Sequence, residues 1–229
     1  MEFTKLSNRL DLVASFVPVG ARLLDVGSDH AYLPIALLQE GKIEAAIAGE
    51  VVEGPYQSAL QNVADNGLED KIEVRLANGL AAFEPTDSIS CITIAGMGGR
   101  LIADILVAGL EKLANVSRLV LQPNNREDEL RAWLVDHDFR IVDEAILEEN
   151  EKFYEILVVE QGSQELTAKE LRFGPYLMRE QAPAFVQKWS KEVEKLAFAL
   201  EQVPVENQSA RASLEERIAH IKEVLHVSK

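Results

Sequence analysis

Cysteine is almost absent from this chain of 229 residues: Cys91 stands alone. That excludes a disulfide framework and a multi-cysteine zinc site, and makes a reducing cytoplasm the expected setting. Long apolar runs are missing as well. No stretch approaches the roughly 18 residues of a membrane span, and the opening MEFTKLSNRLDL has no signal-peptide core, so no membrane partner is expected. Histidine is scarce, and His30, His137, His220 and His226 show no ligand spacing near carboxylates, so no metal is expected. Positive charge is the last shortage. Against 23 Lys and Arg stand 38 Asp and Glu, a net charge of −15. Phosphate contacts need Lys and Arg, so no continuous basic face for nucleic acid exists.

What is present is ordinary for a globular protein: 47% hydrophobic and 27% charged residues. The charge is unevenly placed. Residues 1–160 carry 13 basic and 28 acidic side chains, whereas residues 161–229 carry 10 of each. The break, at Gln161-Gly162-Ser163, predicts a first domain over 1–160 and a second over 161–229.

The first part reads as strand–helix alternation. After an opening helix marked by Leu6, Leu10, Val13 and Val17, strands are predicted at Arg22–Val26, Ala45–Glu50, Ile72–Leu76, Ile89–Ala95 and Arg118–Gln122. Helices are predicted between them: Ala31–Gln39, Gln57–Asp65 ending at Asn66-Gly67, about Arg100–Leu113, and one capped by Asn124 with Glu127 in a capping box. Arg140–Leu147 and Phe153–Glu160 read as a closing hairpin. The fold class is therefore α/β: a mostly parallel seven-stranded sheet with one antiparallel edge strand. The tail has a heptad-like seam, Val186, Trp189, Val193, Leu196, Leu200 and Val203, then Leu214, Ile218, Ile221 and Leu225. This predicts an antiparallel α-helical hairpin closing on itself, with Pro183 at a helix start or kink.

Parallel sheets bind ligands at the carboxyl ends of their strands. Asp25, Gly27 and Ser28 form a tight turn after the first strand; GxGxxG would need glycines where Asp29 and Tyr32 stand. Glu50 and Val51 follow the second strand, and an acid there can accept two hydroxyl hydrogen bonds from a ribose. Asn78 and Gly79 follow the third, an amide able to read an adenine edge. Ala95, Gly96 and Met97 open a glycine loop after the fourth, and Gln122-Pro-Asn-Asn125 follows the fifth. Singly, each is as readily a turn residue. In this order they describe a nucleoside carried without a pyrophosphate.

LSNRLDLVASFVP, LLDVGSDHAYLPI, EGPYQSALQNV, IAGMGGRLI and LQPN resemble the bacterial tRNA (adenine-22-N1)-methyltransferase family, within the class I, Rossmann-like methyltransferases. The resemblance extends through KFYEILVVE into FGPYL. It implies an enzyme that moves a methyl group from S-adenosylmethionine to N1 of adenine 22 in tRNA, with a C-terminal helical, coiled-coil-like domain. It also implies that Asp25, Gly27 and Ser28 line the methionine end, Glu50 and Val51 the ribose, Asn78 and Gly79 the adenine, and Ala95, Gly96 and Met97 the floor beneath the methyl group.

Many amino-methylating relatives carry a polar-Pro-Pro-aromatic motif after strand four. AGMGG offers no such side chain, so the group that orients the base must come from elsewhere. Asp29 is the first candidate, His30 the second, and Tyr32 a stacking partner; the competing reading of Asp29 is a cap on the following helix or a cofactor contact. Phe153 and Tyr154, at the start of the last strand, are stacking candidates, or core residues. For tRNA the candidates are Arg9, Arg100, Arg126 and Arg131 near the ligand edge, with Lys188, Lys191 and Lys195 on one face of the tail. Any one of these lysines, taken alone, reads first as a solvated group balanced by Glu192 and Glu194. No obligatory protein partner is evident. Two other functions compete: a methyltransferase of the same fold acting on a small molecule or protein, and a non-catalytic protein whose tail recruits a partner. A nicotinamide oxidoreductase fails on the missing glycine fingerprint.

Overall fold

The computed structural model describes residues 4–226 of the chain. The first three residues of the segment read for a signal peptide, and the side chain of His226, lie outside the described residues. Among the described residues, seven strands form one sheet. They are β1 (Ala21–Val26), β2 (Ile43–Glu50), β3 (Ile72–Leu76), β4 (Cys91–Met97), β5 (Arg118–Pro123), β6 (Phe139–Glu149) and β7 (Lys152–Gln161). Their order is β3-β2-β1-β4-β5-β7-β6. The first five pair in parallel, and β7 is antiparallel to both β5 and β6. Six strands thus share one direction and β7 alone reverses. The reversed strand expected at the edge lies one place in, because the hairpin folds β7 against β5 and leaves β6 outside it.

Helices α1 (Asn8–Ser15), α2 (Tyr32–Gln39) and α3 (Glu53–Asp65) cover one face of the sheet; α4 (Gly99–Ala108) and α5 (Glu127–Asp136) cover the other. Successive strand residues point to opposite faces. Leu23 accordingly packs with α1 and α2, while Leu24 packs with α4. The predicted helix over 100–113 stops at Ala108, and a 3-10 turn follows over Leu110–Asn115. Gly109 makes the break: a Cβ there would lie 2.6 Å from the Leu80 Cβ. Asn124 is not the cap of α5. Arg126, at φ +55°, holds that position without a side-chain cap, because the Asn124 amide is turned onto the Gly96 carbonyl instead.

Beyond β7 come α6 (Ala168–Phe173), α7 (Pro175–Glu180), α8 (Pro183–Gln202) and α9 (Gln208–His226). Pro183 sits in the first turn of α8, where its missing N–H costs nothing. The last two helices form the antiparallel hairpin. Arg211 Nη1 donates to Leu200 O and Val203 O, both at 3.0 Å, and at the other end Gln181 Nε2 donates to Val224 O at 3.0 Å. Its core extends beyond the hairpin, however. Trp189, Leu196, Ile221 and Val224 bury with Phe173, Leu177 and Phe185, and with Ile146 of β6. Val186, expected on the seam, is exposed, and its neighbour Phe185 points inward in its place. The helical tail is therefore docked on the sheet hairpin as well as on itself.

Candidate active site

The strand order reverses between β1 and β4, so their carboxyl ends open the crevice where such sheets hold ligands. Asp25 is buried there. Its Oδ1 accepts from Thr93 Oγ1 at 2.6 Å and its Oδ2 from Ser28 Oγ at 2.7 Å. Burial raises its pKa, and the two hydroxyls only partly offset that. Gly27, at φ +67°, turns the chain, and a Cβ there would run into the Met97 methyl. Glu50, 5% exposed, ends β2, and one carboxylate oxygen accepts from the Asp29 N–H. Burial raises this carboxyl too, against the backbone hydrogen bond that lowers it. Neither Asp25 nor Glu50 has an ion-pair partner among the described residues.

Asp29, His30 and Ala31 are three consecutive non-glycine residues in the left-handed region, at φ +40°, +47° and +57°. Each such residue costs of order 1 kcal/mol or more, and runs of this kind persist at sites that need them. The turn is held by the Glu50 carboxylate and by Asn62 Nδ2, which donates to His30 O at 2.9 Å. The Asp29 carboxylate is exposed and lies 3.3 Å from His30 Nε2, and the His30 ring stacks on Tyr32 at 5.3 Å. Asp29 does not cap α2, whose cap position, Ala31, has no side-chain hydrogen bond. On β3's end, Asn78 is exposed beside the buried Gly79, and Val51 is exposed after Glu50.

The glycine loop after β4 is braced from β5. Gln122, fully buried, accepts from Gly96 N at 3.0 Å and from Arg9 Nη1 at 2.7 Å through one oxygen. Its amide nitrogen donates to Pro123 O and to Asn124 Oδ1, and Asn124 Nδ2 donates to Gly96 O at 2.7 Å. Arg9 therefore reaches into the strand ends, with its guanidinium 5.6 Å from the Tyr154 ring centre, and its charge lowers the Asp25 carboxyl.

Between this edge and α8 lies an open cleft of about 850 Å³. Asn124, Asn125, Phe153 and Tyr154 line one side, and Lys188, Trp189, Lys191 and Lys195 the other, with Lys152 and Arg172 contributing cations. Asp29, His30 and Tyr32 are not among its lining residues. Lys191 Nζ sits 4.9 Å from the Phe153 ring centre and 3.0 Å from Glu148. Lys195 is 78% exposed, 3.6 Å from Glu192; Arg126 pairs with Glu129 at 3.0 Å, and Arg100 is exposed on α4. Arg172 was not legible from sequence, since nothing in AKELRF distinguishes it from a solvated helix cation. It lies over Phe173 and Trp189 at 5.1 and 5.7 Å.

Arg131 is not at the ligand edge. It is completely buried, with Nε 2.8 Å from Glu144 and Nη2 2.5 Å from Glu155. Its place on α5 follows the apolar face of Leu130 and Leu134, which carries it inward. Lys188 joins this cluster, 2.7 Å from Glu155 and 2.9 Å from Glu127, so it is a joint between tail and sheet at the cleft wall. Burial pushes both acids up. Glu155 nonetheless falls below the usual range because Arg131 and Lys188 both face it, whereas Glu144 shares only Arg131 and stays raised. Gly174, at φ +83°, lets the chain pass: a Cβ would lie 2.7 Å from Glu144 Oε2.

With this geometry in place, kinship is decisive. The profile of the tRNA (adenine(22)-N(1))-methyltransferase family matches residues 23–223, spanning both sheet and tail. The chain belongs to this family. The tRNA (adenine(22)-N(1))-methyltransferase of Bacillus subtilis is 39% identical over 98% of this chain and 99% of its own. Streptococcus pneumoniae Sp1610, a candidate tRNA (m1A22) methyltransferase crystallised with S-adenosyl-L-methionine, is 67% identical with a TM-score of 0.90, over 97% of this chain and 100% of its own. TrmK of M. capricolum, solved with S-adenosyl-homocysteine, is 29% identical with a TM-score of 0.84, over 98% and 99%. The fold is the Rossmann-like one of these family members, and their cofactor is S-adenosylmethionine. Among the described residues no helix is long and apolar enough to cross a membrane, and no group of three or more His, Cys, Asp or Glu could hold a metal ion.

Proposed function

We infer that this protein methylates N1 of adenine 22 in tRNA, using S-adenosylmethionine. The observation that carries the reading is the family match, which includes both the sheet with its buried acids and the tail; the cleft beside Asn124 and Asn125, after β5, has that tail as its opposite wall. The cofactor fits these residues. Two buried acids with no ion-pair partner among the described residues stand ready for hydroxyl and ammonium donors, and glycines keep the approach to them clear. In this reading Glu50 accepts from the ribose hydroxyls and Asp25, Gly27 and Ser28 line the methionine end. Asn78 and Gly79 hold the adenine beside Val51, and Ala95 to Met97 form the floor. When bound, S-adenosylmethionine supplies an electrophilic methyl group with a good leaving group.

Neutral adenine already carries a lone pair on N1, so the protein's task is alignment and exclusion of water, together worth roughly 7–11 kcal/mol of barrier. Tyr154 and Phe153 provide aromatic surface for a base taken out of its stack, a step costing a few kcal/mol. Asp29, with His30 and Tyr32, is assigned to the cofactor rim, since its N–H braces Glu50 and it is not among the residues lining the cleft. Asp29→Ala is then expected to weaken cofactor binding; a loss of turnover with cofactor affinity intact would return it to the base. Arg9, beside Asp25 and Gly96, suits the cofactor carboxylate better than a tRNA phosphate.

Residues 1–160 form the catalytic part, and 161–229 a helical part that grips tRNA through Lys191 and Lys195, aided by Lys152, Arg172, Arg100 and Arg126. The test is methyl transfer from labelled cofactor to bulk bacterial tRNA, followed by nucleoside analysis. The expected product is 1-methyladenine, abolished when adenine 22 is changed. No incorporation with cofactor binding intact would move the acceptor to a small molecule or protein.

A further inference from the structure

The glycine loop leaves the target base without a side chain from β4, and the polar groups around it are already engaged. Gly96 O takes the Asn124 amide and Met97 O takes the Asn124 N–H, each at 2.7 Å. Gln122 uses its oxygen twice and its nitrogen twice. One amide in the cleft lining is different. The Asn125 side chain makes no hydrogen bond to any described residue, yet its backbone is tightly held. Its carbonyl accepts from Gly99 N at 3.0 Å, and the next residue, Arg126, is fixed in the left-handed region. The loop presses on two glycines: a Cβ at Gly99 would lie 2.6 Å from Arg126 O, and one at Gly98 would lie 3.2 Å from Asn125 Oδ1. Glycine at 98 thus leaves room for this amide over the loop. The side chain so placed is exposed at the cleft, beside the strained Arg126, and has no partner within the described residues.

Resting on the methyltransferase reading above, we propose that Asn125 is a catalytic residue that orients the target adenine: its carbonyl oxygen accepts the exocyclic N6–H and so aims the neighbouring N1 lone pair. That pair forms the new bond to the methyl carbon as the carbon–sulfur bond breaks and its electrons stay on sulfur. The base gains one positive charge, shared between N1 and N6, and the N6–H becomes a stronger donor. The hydrogen bond to Asn125 therefore strengthens as the reaction proceeds, which raises kcat rather than merely tightening binding. The same oxygen disfavours a guanine, whose O6 would face it. Asn125 supplies by its place after β5 what AGMGG cannot supply after β4.

The experiment pairs two removals on the full-length enzyme. Single-turnover rates are measured for wild type and Asn125→Ala, with tRNA carrying adenine or unsubstituted purine at position 22. Asn125→Ala is expected to lose about 10- to 100-fold with adenine, the worth of a hydrogen bond to a developing charge. The factor lost on removing the amine should shrink in the variant by that same 10- to 100-fold. Asn125→Asp, which keeps the acceptor, should retain the wild-type rate within a few-fold while raising KM for the polyanion. The thermal midpoint should stay unchanged in Asn125→Ala, because no intramolecular bond is lost. If the two losses multiply instead, or Asn125→Ala keeps the adenine rate, the assignment falls and the functional reading stands. If wild type leaves adenine 22 unmethylated, both fall.

Discussion

Two pairs of buried acids sit in opposite halves of one sheet and are handled in opposite ways. Asp25 and Glu50, at the crevice, are met by hydroxyls and a backbone N–H, and among the described residues no cation pairs with them. Glu144 and Glu155, at the joint with the tail, enclose Arg131, and Glu155 gains Lys188 besides. A carboxylate buried without a cation costs stability, and its return comes only when a ligand brings the missing donors. A carboxylate buried with cations is satisfied within the fold and has nothing left to offer a ligand. Burial alone therefore does not mark the active site; an unneutralised buried acid does.

The strongest way to break this comparison is to remove the shared cation. Arg131→Met should destabilise the fold by about 3–5 kcal/mol, because two acids are left buried beside one lysine. Adding Glu144→Leu and Glu155→Leu should recover most of the loss, read as thermal midpoints by calorimetry. Glu50→Gln should do the reverse. Cofactor affinity, measured by titration calorimetry, should fall 10-fold or more, since hydrogen bonds to a charged acceptor are worth about 1.5–3 kcal/mol. The midpoint should hold or rise, because an unneutralised buried charge has gone.

Acid should separate the two pairs in wild type. Glu50 protonates above the ordinary carboxyl range, so cofactor affinity should decline first as pH falls. Glu155 protonates below it; its stabilisation is fully present above the unfolded carboxyl's pKa and is lost only as pH falls through the lower folded value. Glu144, raised, works in the opposite sense and softens that loss. Affinity and circular dichroism recorded across the same pH series give the two midpoints, and coincident midpoints would refute the distinction. The smallest effect belongs to the tail surface. Lys191→Ala with Lys195→Ala should weaken tRNA binding a few-fold and reduce the salt slope by about one to two, with stability changed by under about 1 kcal/mol.

Much of the crevice was legible because strand ends are legible. A buried run followed by Asp25-Val-Gly, a second ending in Glu50 and a third before Asn78-Gly79 locate themselves by period and punctuation. The sheet hairpin and the two long tail helices follow from the same periodicity. What was not legible depends on contacts distant in sequence. Arg131 reads as a surface cation until β6 and β7 bring Glu144 and Glu155 to it. Asn124 has the spacing of a helix cap, but the Gly96 carbonyl 2.7 Å away claims its amide. Lys188 shares a helical face with Lys191 and Lys195, and only docking on β7 separates a half-buried joint from its two more exposed neighbours. Arg172 needed the Trp189 ring beneath it before it meant anything.

The one reversed strand has a consequence for how this gene can change in length. Along β7, Phe153 and Glu155 turn toward α8, where Lys191 and Lys188 meet them, while Tyr154 between them turns toward α1 and Arg9. Three adjacent codons thus serve both sides of the sheet. Inserting or deleting one residue between 152 and 156 would exchange the sides, carrying Glu155 away from Arg131 and the aromatic rings away from their cations in a single event. The turn at Asn150-Glu151 imposes no such phase, so family members should differ in length there and keep a fixed frame immediately after it.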